Sequence, residues 1–146
     1  MVLVLLNLLL GLVAVISALR LGGDIERRGA WLIVAMYGLG FAGDWLLGSR
    51  SAPLSPAALA QDLVAFVGFS YLGIYSKRVW PLWAAAFQLL SVGAHGVRAF
   101  EIAVRPIVYA WMMTGPTWAV LVLLLIGTFG HRRRMSSSAS ARSWPS

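Results

Sequence analysis

Few side chains in this chain can do chemistry, and four of those that can recur at helical spacing. Gln88, Ser91, His95 and Arg98 stand at i, i+3, i+7 and i+10 inside the apolar stretch from Trp80 to Glu101. On a helix of 3.6 residues per turn they fall on one stripe. A polar side chain facing lipid has no hydrogen-bond partner, so the stripe must face protein or water. Two carboxylates, Asp44 and Asp62, and an amide, Asn7, lie near the ends of other apolar runs. Carboxylates beside an imidazole can ligate a divalent metal, relay a proton or hold a cationic ligand. Asp44, Asp62 and His95 are therefore the candidate metal ligands, and with Gln88 and Asn7 they form a candidate polar cavity. The plainer alternative makes the carboxylates helix-end groups at the membrane surface. Asp62 then favours its helix N-terminus through the dipole, and His95 merely bonds Asp62 or a carbonyl.

Several chemistries are excluded or disfavoured. No serine sits in a G-x-S-x-G turn, there is no glycine-rich phosphate loop, and no lysine is placed to activate a nucleophile. The chain has no cysteine, which removes disulfides, cysteine-ligated zinc and iron–sulfur clusters. Bis-histidine haem needs two histidines at one depth, and the second of the two, His131, ends the last apolar run. A haem or metal held by His95 alone remains the minor alternative, and no cofactor is strongly indicated.

The elements that position these residues follow from composition. Of the 146 residues 60% are apolar and only 12% charged, where a soluble domain of this size carries about 25% charged residues. Lipid must be most of the solvent. The spacing predicts an all-α polytopic membrane bundle with five spans near 2–19, 31–48, 57–75, 79–97 and 107–129, followed by a disordered tail, 135–146. Four spans with a re-entrant last segment are the alternative. Asn7, Gly11, Ala14 and Ala18 form a small-residue face on the first span, and Gly38, Gly40, Ala42 and Gly43 thin the second. Trp80 and Trp83 read as an interfacial belt, and Gly115-Pro116 as a kink in the fifth span.

Loop charges set orientation. Arg20, Arg27, Arg28, Lys77, Arg78, Arg132, Arg133, Arg134 and Arg142 fall on one side, and Arg50, Arg98 and Arg105 on the other. Basic residues are retained in the cytoplasm, so the N-terminus is expected outside and the C-terminus inside. Asp44, Asp62, His95 and Asn7 then share the outer part of the membrane. The net charge of +7 is spread over loops, without a basic aromatic face for nucleic acid. Arg98, Glu101 and Arg105, at i, i+3 and i+7, form an outer rim that is either an ion-paired helix end or an anion-selective mouth. Arg132, Arg133 and Arg134 are placed to anchor the end of the last span on anionic lipid or on a partner.

The run WPLWAAAFQLL from Trp80 to Leu90, with His95 after it and a terminal apolar helix ending in His131-Arg132-Arg133-Arg134, resembles small multi-span inner-membrane proteins of Gram-negative bacteria. The resemblance covers about the second half of the chain. It implies a bacterial inner-membrane location and a shared helix carrying Gln88 and His95, and it brings no activity with it. The expected function is non-enzymatic: a small module that binds other membrane subunits, a second copy or a ligand through its outer polar cavity. The alternative is a small transporter or proton-coupled carrier using Asp44, Asp62 and His95, and the second alternative an enzyme subunit holding metal or haem.

Overall fold

A computed structural model describes residues 2–47, 56–100, 103 and 105–141. They form five helices: α1 (Val2–Leu21), α2 (Asp24–Leu47), α3 (Pro56–Ser76), α4 (Trp80–Ala99) and α5 (Pro106–Ala141). Two of the connections are very short, so their helices run antiparallel. Gly22 and Gly23 alone join α1 to α2, and 77–79 join α3 to α4. The second turn is tight enough to hold Lys77 at φ 52°, a left-handed conformation uncommon outside glycine. Pro81 opens α4 in the first turn, where its missing N–H costs least.

Each helix packs on the next, and α1 closes the ring against α5. The core between them contains Ala14, Ala18, Ile33, Met36, Phe69, Leu121 and Leu124. Among the described residues, large apolar side chains are more abundant outside than in the core, including Leu9, Phe41, Val67, Leu89 and Ile126. This is the pattern of a bundle whose surroundings are apolar, since an exposed apolar surface this extensive is a liability in water. Three helices, α2, α3 and α5, are long and apolar enough to cross a membrane. The polar stripe dilutes α4, and the described apolar part of α1 is shorter.

Where no solvent drives apolar association, close packing of small residues takes over. The expected face of α1 is buried at Gly11, Ala14 and Ala18, with the Tyr37 ring lying on Gly11. On α2, Gly43 lies so close to Ala57 that an added Cβ would stand 2.3 Å from the alanine Cβ, and Gly40 meets Gln61 in the same way. Gly38 does not share this role, because it faces outward with open space around it.

Two expectations need correction. Trp80 is not an interfacial belt residue: it is 8% exposed, packs edge-on to Phe69 at 6.1 Å and fills the room left by Gly29 and Gly127. Trp83 is exposed. Residues 135–141, expected as part of a disordered tail, instead continue α5 as helix, because a helix once nucleated propagates at little cost. Ser136 and Ser137 donate to the Arg133 carbonyl, and Ser138 to that of Arg134. Residues 142–146 lie outside the described residues. Pro116, the proline expected to kink the last span, is buried inside α5, which continues on both sides of it.

Candidate functional site

Asp62 lies two turns into α3, and the stripe of α4 turns directly onto it. Helical spacing puts Ala84, Gln88, Ser91 and His95 on the buried side of α4, and antiparallel pairing with α3 brings the late residues of α4 beside the early ones of α3. The Ser91 hydroxyl donates to Asp62 Oδ2 at 2.6 Å. His95 Nε2 lies 3.2 Å from the same oxygen. All three residues are buried, Asp62 at 7%, Ser91 at 2% and His95 at 5% exposure. The Ser91 bond falls in the short range of charge-assisted O–H···O⁻ bonds.

One carboxylate oxygen thus gathers a hydroxyl and an imidazole from a neighbouring helix. The arrangement can exchange a proton between Asp62 and His95 while Ser91 holds the carboxylate in place. It does not prepare Ser91 as a nucleophile. In a serine triad the imidazole stands between serine and carboxylate, and here the carboxylate stands between the other two.

The remaining residues of the expected cavity are distributed differently. Gln88 is fully buried two turns deeper, with Nε2 donating to Met36 Sδ at 3.3 Å and Oε1 lacking a partner. Asn7 Oδ1 accepts the Tyr37 hydroxyl at 2.5 Å, which ties α1 to α2 apart from the Asp62 cluster. Asp44 is half-buried near the end of α2, and no hydrogen bond or ion pair brings it to Asp62 or His95. Among the described residues, no three histidine or carboxylate side chains are grouped to hold a metal ion, so the set Asp44, Asp62 and His95 is not assembled. The polar groups pack side chain against side chain.

Arg98, the fourth residue of the stripe, is exposed one turn beyond His95, and Arg105 is exposed as well. Glu101 lies outside the described residues. Arg132, Arg133 and Arg134 are exposed, and the first two line a shallow surface pocket with Phe129 and Ser136.

A buried ionisable residue escaped the sequence reading. Glu26 is fully buried at the opposite end of the bundle from Asp62, where α1 turns into α2. Placed next to Arg27 and Arg28 it looks like loop charge, yet Ala30 and Ile33 at i+4 and i+7 share its face and its burial. That periodicity was the available signal. No family model, no curated protein and no solved structure matches this chain.

Proposed function

We propose that the protein is a non-enzymatic carrier of the bacterial inner membrane whose ligand at the Asp62–Ser91–His95 site is a proton. The observation that carries this reading is the buried, hydrogen-bonded Asp62–His95 pair inside a bundle with an apolar exterior. Intramembrane ionisable residues are expensive to bury and are characteristic of proton relays. The pair changes charge distribution when it gains or loses a proton, and both partners sit on helices that pack directly on each other. All five helices cross the membrane in this reading, with the N-terminus outside and the C-terminus in the cytoplasm, as the loop charges require. Asp62 and His95 then belong to the outer half.

The test is proton flux into liposomes containing the purified protein, driven by a potassium diffusion potential and followed with an internal pH-sensitive dye. Flux above that of protein-free liposomes, lost in Asp62→Asn, is the expected result. Wild-type flux equal to that of protein-free liposomes refutes the carrier.

A further inference from the structure

The second buried carboxylate, Glu26, is only half explained by its structural role. Its Oε2 accepts the backbone N–H of Gly23 at 3.1 Å, which caps the start of α2 in the way a capping-box glutamate does. Capping needs one oxygen and no burial. Glu26 is nevertheless 0% exposed, and its Oε1 has no partner. A buried acceptor left unpaired is costly, and such atoms mark functional places often enough to need an explanation.

The surroundings supply one. From within α5, His131 reaches the same spot: a Cβ placed on Gly23 would lie 3.0 Å from His131 Nδ1 and 3.1 Å from Glu26 Oε2. The His131 ring and Glu26 Oε2, the oxygen that already accepts the Gly23 N–H, therefore lie within about 6 Å of each other, a span that one water can bridge. One turn back along α5, about 6 Å away, Gly127 lies under the Trp80 ring, where an added Cβ would be 2.8 Å from Nε1. That indole N–H is also buried without a partner. An unpaired acceptor on α2 and an unpaired donor on α4 thus both lie beside this part of α5. His131 is half-buried, so it connects this region to the surface. Of the other charged groups at this end, Arg20 on α1, Asp24, Arg27 and Arg28 on α2, Lys77 in the α3–α4 turn and Arg132, Arg133 and Arg134 on α5 are exposed, and Arg78 in that turn is half-buried.

We infer that Glu26 is a second proton-binding site, which exchanges its proton with the cytoplasmic surface through His131. In the step, the Glu26 carboxyl O–H bond breaks and an N–H bond forms on the imidazole, directly or through one water. A carboxylate and an imidazolium remain, and the imidazolium releases the proton to the cytoplasmic side. The return reverses each bond. Together with Asp62 and His95 the bundle then holds one carboxylate–histidine pair toward each end, with Gln88 between them on the α4 stripe. The inference rests on the carrier reading for its purpose, while its test is independent of flux.

Carboxyl protonation can be followed by infrared difference spectroscopy on full-length protein, uniformly oriented in sealed vesicles, after a pH jump on one side. Glu26→Gln keeps an oxygen for the Gly23 N–H, so the cap and the fold persist. Three results are expected. A titrating carboxyl signal disappears in Glu26→Gln, that signal follows pH on the C-terminal side only, and His131→Gln slows its response at least tenfold. The inference is overturned if Glu26→Gln removes no signal, if the signal follows pH on the opposite side, or if His131→Gln leaves the rate unchanged. Absence of a signal lost in Asp62→Asn would count against the first site alone.

Discussion

The bond between Ser91 and Asp62 is the contact on which the outer site depends, and Ser91→Ala removes it with little change of shape. It joins buried partners at 2.6 Å, and hydrogen bonds to an ionised carboxylate contribute about 1.5–3 kcal/mol in water-soluble proteins. Inside a membrane the reference state is less favourable to it, because separated helices also find partners there, and measured interhelical bonds reach at most about 1.7 kcal/mol. The loss should therefore be about 1.5 kcal/mol, near tenfold in the unfolding constant. Cavity formation adds little, since only a hydroxyl is removed. The assay is unfolding in mixed micelles of mild detergent and dodecyl sulfate, with Ser91→Ala, Asp62→Asn and the double variant closing a cycle. A coupling of about 1 kcal/mol or more between the two positions is expected. Ser136→Ala is the control: its hydroxyl is exposed and returns to the Arg133 carbonyl of its own helix. Ser91→Ala indistinguishable from Ser136→Ala, or additive effects in the cycle, would refute the reasoning.

Further outcomes follow from the packing and the topology. Gly43→Leu should destabilise by about 1–3 kcal/mol by overpacking α2 against Ala57, whereas Gly38→Leu, which meets nothing within 4 Å, should be near neutral in the same micelle assay. Tyr37→Phe should cost about 0.6–1.7 kcal/mol by removing the donor to Asn7, and Asn7→Leu should make the loss at position 37 disappear. The chain has no cysteine, so single cysteines report sidedness cleanly. On the proposed orientation, a cysteine at Ala103 should react with an impermeant maleimide added to sealed right-side-out membrane vesicles, and one at Ser138 only after their lysis. The reverse pattern would invert the bundle.

How much of this was legible in the sequence differs by residue. Period and composition suffice for the five helices, and the buried side of α4 is readable because Gln88, Ser91 and His95 are polar on an otherwise apolar helix. The small face of α1 is readable from the spacing of Gly11, Ala14 and Ala18, whereas Asn7, expected in the cavity, bonds Tyr37 instead. Contacts between helices are not carried by period. Asp44 and Asp62 look equivalent from their positions near helix ends, yet only Asp62 meets the α4 stripe. Trp80 was misjudged because an aromatic at a helix end satisfies a belt and a core equally well. The decision came from two distant glycines, Gly29 and Gly127, that leave room for its ring. Glu26 was hidden by its charged neighbours, whose side chains point outward while its own points in. The helical extension to Ala141 was missed because serine-rich composition argues against helix, and a preceding long helix outweighs that preference.

Proton flux through oriented proteoliposomes, compared between the wild type, Asp62→Asn and Asp44→Asn, tests the central claim most directly. Asp62 is bonded to His95 and Ser91 in the bundle interior, and Asp44 is joined to neither. Flux in the wild type that survives Asp44→Asn and vanishes in Asp62→Asn is the result this account requires. Flux that survives Asp62→Asn, or a wild type no more permeable to protons than the bare membrane, would contradict it.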